Sequence, residues 1–154
     1  MIREKLDETL KTAMKRRDER TILTVRLILA ALKDRDIAER TKGNSDGIAE
    51  PDILQLLTTM IRQRRESINQ YESGGRIDLA ERESEEIDII NRFMPPQIEG
   101  NEMVETIRNL VEEEKASTIK DMGRVMHTLK ERYAGQMDFS KASSVVKDLL
   151  SGVK

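Results

Sequence analysis

An all-α fold is what this chain predicts, and three observations predict it. Apolar residues recur at three- and four-residue spacing along most of the 154 residues, whereas alternating strand-like runs are missing. The apolar stripes are separated by short clusters of turn formers. Finally, Phe93-Met94-Pro95-Pro96 interrupts the pattern, because prolines lack the amide hydrogens of a helix interior and push Met94 out of helical geometry. The expected architecture is a four-helix N-terminal domain over residues 1–95, followed by a small three-helix C-terminal domain over residues 96–154.

The first helix places Ile2, Leu6, Leu10, Ala13 and Met14 on one stripe, opposite Arg3, Lys11 and Lys15. From Thr21 to Ile37 the apolar residues Ile22, Leu23, Val25, Leu27, Ile28, Leu29 and Leu32 cover more than one stripe. Such a helix is expected to be central and to touch neighbours on several sides. Thr41-Lys42-Gly43-Asn44-Ser45-Asp46-Gly47 offers turn formers and no apolar face, which predicts a mobile loop.

A third helix is expected from Glu50 or Pro51, where proline is tolerated in the first turn, to the stop at Ser73-Gly74-Gly75. Its inner face is Ile53, Leu57, Met60, Ile61 and Ile68. The fourth turns Leu79, Ala80, Ile87, Ile90, Phe93 and Met94 inward and leaves Glu81, Glu83, Glu85 and Glu86 largely outward.

Beyond the prolines, Glu99 is expected to begin a helix, with Ile98 and Met103 as a hydrophobic staple and Ile107, Leu110 and Val111 continuing the face. Thr118-Ile119-Lys120-Asp121 has the hydroxyl and the acid of a capping box. The stripe Met122, Val125, Met126 and Leu129 follows, and Gly135 is the expected end. Asp138 or Ser140 caps a last helix with Ala142, Val145, Val146 and Leu149 inside.

Composition narrows the function classes. Hydrophobic residues at 37% and charged residues at 36% suit amphipathic helices with solvated outer faces and small cores. No cysteine is present, which excludes disulfides, thiolate metal sites and a cysteine nucleophile. A net charge of −2 gives no general attraction to phosphate, so any nucleic-acid contact needs a local basic patch. Tyr71, Phe93, Tyr133 and Phe139 are too scattered to stack successive bases. The acids interleaved from Met1 to Asp7 do not resemble a secretory leader, and no run reaches the ~20 apolar residues of a membrane span. The expectation is a cytoplasmic protein without membrane contact.

His127 is the sole histidine, beside rather than within its helix's apolar stripe, and is read as a surface residue. Without a second histidine or a cysteine, no metal and no cofactor are assigned. The acids at 81–88 and at 112–114 read as solvated surface, because acid–base work needs environments that push two pKa values apart. Serines lack an adjacent base, and neither a nucleophile elbow nor a Walker loop occurs, so no catalytic residue is assigned.

Two basic groups remain. Arg62, Arg64 and Arg65, with Arg76 beyond them, suit either a phosphate clamp or ion pairs to the glutamates of the next helix, and ion pairing is the expected use. Lys120, Arg124 and His127 follow an i, i+4, i+7 line with Gly123 and Lys130 alongside, a ridge suited to an RNA backbone. Glycine inside a helix costs about 1 kcal/mol relative to alanine, so Gly123 is expected to mark a close approach. Another helix is the first expected neighbour and a ligand backbone the second.

Several of these residues also carry a resemblance. Ile61-Arg62-Gln63-Arg64-Arg65-Glu66-Ser67, Gly75-Arg76-Ile77-Asp78-Leu79-Ala80, Phe93-Met94-Pro95-Pro96-Gln97 and Lys120-Asp121-Met122-Gly123-Arg124-Val125-Met126 resemble the GatB/YqeY family in order and spacing, across essentially the whole chain. The resemblance implies an all-helical protein similar to the tail of the B subunit of glutamine-dependent aspartyl/glutamyl-tRNA amidotransferase. It also implies tRNA as partner, possible company of an aminoacyl-tRNA synthetase or amidotransferase, and a family-level association with carbon–nitrogen ligase activity using glutamine as amido-N-donor. Carried onto this sequence, the tRNA-facing residues are Lys120, Gly123 and Arg124, then His127, Lys130 and Arg76. The chain departs from the family's usual hydroxyl at Glu99.

Three function classes stay open. The favoured one is a non-catalytic tRNA-binding accessory module. The others are a helical protein-interaction adaptor without RNA affinity, and an amidotransferase-type enzyme that acts only within a complex.

Overall fold

Seven α-helices and one 3-10 turn carry the chain in the computed structural model, which describes residues 1–152, and no strand occurs among them. Residues 153 and 154, the end of the expected second domain, lie outside the described residues. The helices are α1 (Ile2–Arg16), α2 (Glu19–Thr41), α3 (Glu50–Ser73), α4 (Ile77–Asn91), α5 (Gly100–Glu113), α6 (Met122–Arg132) and α7 (Phe139–Leu150). Helix α4 stops short of the prolines, and two compact units, Met1–Met94 and Pro95–Lys154, meet in sequence at that point.

In the first unit, Leu6, Val25, Ile28, Leu57 and Ile90 are completely buried, with Phe93 close behind. Each such side chain contributes about 2 kcal/mol through removal from water. The α1–α2 corner forces Arg17 into the left-handed region at φ 58°, and Asp18 then caps α2 by accepting from Thr21 N at 3.2 Å and Thr21 Oγ1 at 2.7 Å. Lys5 donates to the Arg92 carbonyl at 2.6 Å with its ammonium 5.8 Å from the Phe93 ring centroid, fixing the chain that leaves α4.

Four expectations need correction here. Met14 is half exposed, and although α2 touches α1, α3 and α4 as a central helix should, its Leu23 and Leu27 are exposed at 61% and 49%, so one of its apolar stripes stays uncovered. The α2–α3 loop is pinned: Asp36 accepts two hydrogen bonds from Arg3, at 2.8 and 2.9 Å, and one from Ile48 N at 2.9 Å, while Arg3 also donates to Ile48 O. Within the loop, Asn44 Nδ2 donates to Gly47 O at 3.0 Å. On α4, Glu83 and Glu86 are tucked in, at 22% and 18% side-chain exposure, against Arg64 of α3 at 13%. Arg64 Nε donates to Glu86 at 3.0 Å and lies 3.9 Å from Glu83, so this arginine serves the fold.

In the second unit, Ile107, Val125, Leu129, Ala142 and Val146 are fully buried. Ile98 and Met103, 9% and 4% exposed, flank the first turn of α5 at the staple positions, although Glu99 makes no side-chain cap there. Helix α6 ends at Arg132 rather than Gly135, which lies in the following turn at φ 73°. The α7 face is Ala142, Val146 and Leu150, with Val145 and Leu149 only partly buried. Asp138 caps α7, accepting from Ser140 N at 2.9 Å and Lys141 N at 3.3 Å.

Candidate functional site

The start of α6 is assembled by one side chain. Asp121, at the end of the 3-10 turn Ile119–Asp121, accepts from the backbone N–H of Ser117 at 2.9 Å and of Thr118 at 3.2 Å, both on Oδ2. Its other oxygen, Oδ1, lies 3.3 Å from Arg124 Nη2. The two backbone donors first, and Arg124 after them, hold this carboxyl below its ordinary pKa, so it stays ionised and is no proton donor near neutrality.

Along α6, buried Val125 and Leu129 fix the rotation of the helix. At 100° per residue, Gly123, His127 and Lys130 fall within an arc of about 60° on the opposite, solvent-facing side. Gly123, His127 and Lys130 are all exposed, as is Lys120 one turn earlier, and Ile119 adds a 47% exposed apolar side chain beside it. Among the described residues Lys120 and Lys130 have neither an ion pair nor a side-chain hydrogen bond. Arg124 is half exposed and shared with Asp121, while His127 Nε2 sits 3.0 Å from Glu131 Oε1.

The helix expected beside Gly123 is not found there. A Cβ built at Gly123 meets nothing within 4 Å among the described residues, so no helix of its own unit packs there. What remains is an open patch of backbone between two free ammonium groups. The acid run behind it is also more structured than its composition suggests. Glu113 takes two hydrogen bonds from Arg132, both 2.9 Å, and Glu114 accepts from Thr128 Oγ1 at 2.6 Å.

Lys120, Gly123, Arg124, His127 and Lys130 therefore share one short segment of the second unit. Arg76 does not join them: it belongs to the first unit, at the N-terminus of α4, where it donates twice to Asp78 at 3.2 Å. Sequence reasoning missed the partial neutralisation of the ridge by Asp121 and Glu131. The signal was available in the i, i+3 and i, i+4 spacing of those acids from Arg124 and His127. Chemically the segment offers charge and close backbone approach.

The chain matches a family model described as Yqey-like protein over residues 3–150. Among curated proteins it is similar to "Altered inheritance of mitochondria protein 41, mitochondrial" from three organisms. With that of Candida glabrata it is 32% identical over 89 residues, covering 58% of this chain and 47% of the relative. With that of Saccharomyces cerevisiae it is 36% identical over 85 residues, covering 55% and 44%. With that of Eremothecium gossypii it is 37% identical over 89 residues, covering 58% and 46%. The chain thus spans just under half the length of these curated relatives. They are named as mitochondrial, which overturns the cytoplasmic expectation. Lack of an apolar leader separates secreted from retained proteins and does not separate cytosol from mitochondrion. No helix among the described residues is long and apolar enough to cross a membrane.

Proposed function

The chain belongs to the Yqey-like family, and from that premise we propose that it is a non-catalytic tRNA-binding accessory module that works beside an amidotransferase or an aminoacyl-tRNA synthetase. In this reading the units are separate domains, a four-helix one and a three-helix one, and the second supplies the RNA contact through the exposed side of α6.

The observation that carries the reading is Gly123. Gly123 stands in the first turn of α6, where glycine costs part of the roughly 1 kcal/mol it costs in a helix interior, and with open space at its Cβ position the fold gains no packing in return. A phosphodiester backbone laid along the helix can use that space, with Lys120 and Lys130 on its phosphates and Arg124 exchanging Asp121 for a third. Three such contacts give a modest affinity with a logarithmic salt slope of roughly −2 to −3.

The test is a titration of the purified chain with total cellular tRNA at several salt concentrations, beside a Lys120→Ala/Arg124→Ala variant of checked stability. Saturable binding that weakens with salt, and falls about tenfold or more in the variant, supports the module. No binding at low salt rejects it and leaves the adaptor without RNA affinity.

A further inference from the structure

Helix α2 is apolar on two opposite faces, and the fold uses one of them. Thr21, Val25, Ile28 and Leu32 are the buried side. At 100° per residue, Leu27, Ala30 and Ile37 all lie within about 40° of Leu23 on the other side. Leu23, Leu27 and Ile37 are 61%, 49% and 44% exposed. Where this stripe meets the end of α1, Met14, Ile22 and Leu23 floor a groove of about 480 Å³ rimmed by Arg17, Glu19 and Arg26. Isolated exposed leucines are ordinary, but Leu23, Leu27 and Ala30, a continuous run of about two helical turns that ends at Asp34 and leads into a groove, mark a contact surface.

The rim indicates what covers it. Arg17 and Arg26 have no ion pair or side-chain hydrogen bond among the described residues, and one carboxylate, Glu19, stands between them. Arg17 holds its place from a left-handed backbone at φ 58°, a conformation that disfavours every residue with a Cβ by about 1 kcal/mol and that glycine adopts freely. Two copies set face to face would bring like-charged rims together. A helix with acidic residues flanking an apolar stripe instead satisfies both guanidinium groups while covering Leu23 and Leu27.

We infer that the outer face of α2 docks an acidic amphipathic helix of a partner protein. The inference is independent of the RNA reading, since the groove is built from α1, α2 and their corner.

The probe is a random library of displayed peptides about sixteen residues long, roughly four helical turns, selected on the full chain and counter-screened on Leu23→Asp/Leu27→Asp. Expected binders are net acidic, carry apolar residues at i, i+3 or i+4 and i+7, and lose about tenfold or more in affinity on the counter-screen variant. Arg26→Glu, an exposed reversal, is expected to abolish the preference for acidic flanks while the variant's unfolding curve matches the parent's. Failure to enrich above the counter-screen, or enrichment of neutral or basic peptides, overturns the inference. So does a monomer–dimer equilibrium in sedimentation that Leu23→Asp removes, because a second copy would then be the occupant.

Discussion

Asp36 grips Arg3 with two parallel hydrogen bonds of 2.8 and 2.9 Å across 33 residues of chain, and both partners also hold the backbone of Ile48. One ion pair thereby ties α1, α2 and the start of the segment leading to α3.

Asp36→Ala should destabilise the first unit by about 2 kcal/mol, since it removes two of the hydrogen bonds of Arg3 and leaves the Ile48 N–H without its acceptor. The Arg3 hydrogen bonds, ahead of the Ile48 N–H, lower the Asp36 pKa. Its stabilisation is therefore present above the unfolded carboxyl value and fades as pH falls through the lower folded value. Denaturant melts at descending pH should show the difference between parent and variant shrinking below about pH 4.

Gly47→Ala should cost more than Gly43→Ala, although both glycines have positive φ, 84° and 93°. A Cβ at Gly47 falls within 2.4 Å of Asp36 Oδ1, whereas one at Gly43 meets nothing within 4 Å. Backbone strain alone predicts about 1 kcal/mol for Gly43→Ala, and urea midpoints of the two variants should rank in that order.

Arg64→Ala should destabilise by about 3 kcal/mol, because Glu83 and Glu86 then face each other half-buried without a cation. Burial first, and then Glu86, raises the Glu83 pKa against the pull of Arg64. A raised carboxyl binds its proton more tightly in the folded state, so this group lowers stability as pH rises from the unfolded value through the folded one. Glu83→Gln should thus be neutral or mildly stabilising at pH 7, with the gain vanishing in acid. A drop in thermal midpoint at pH 7 would contradict it.

Gly123→Ala, in the first turn of α6, should stabilise the helix by up to about 0.5 kcal/mol, since the added methyl meets nothing and removes backbone freedom from the unfolded chain. If RNA lies along the helix, the same variant should bind tRNA several-fold more weakly while melting higher. Unchanged affinity in a stabilised variant would move the contact away from Gly123.

Much of this was legible because it is local. The Asp121 cap, the Ile98 and Met103 pair and the end of α3 at Gly74 and Gly75 involve residues within a few positions of one another, and helical spacing exposes them. What spacing cannot reveal is which of two apolar stripes finds a partner, so Leu23 and Leu27 read like Val25 and Ile28 until the neighbours were placed. Arg3 and Asp36 are too distant in sequence to announce each other, and the loop they pin looked free. At the candidate site the cations are legible one by one, and so, from their i, i+3 and i, i+4 spacing, are the acids Asp121 and Glu131 that partner Arg124 and His127.

The two oxygens of Asp121 have different employers: Oδ2 belongs to the backbone of Ser117 and Thr118, and Oδ1 to Arg124. An incoming anion can therefore evict one without disturbing the other. The carboxylate acts as a built-in decoy that keeps Arg124 oriented until an anion displaces it. For any polyanion captured there, Arg124 arrives already aimed and adds its own share to the ionic-strength dependence, beside the two lysines.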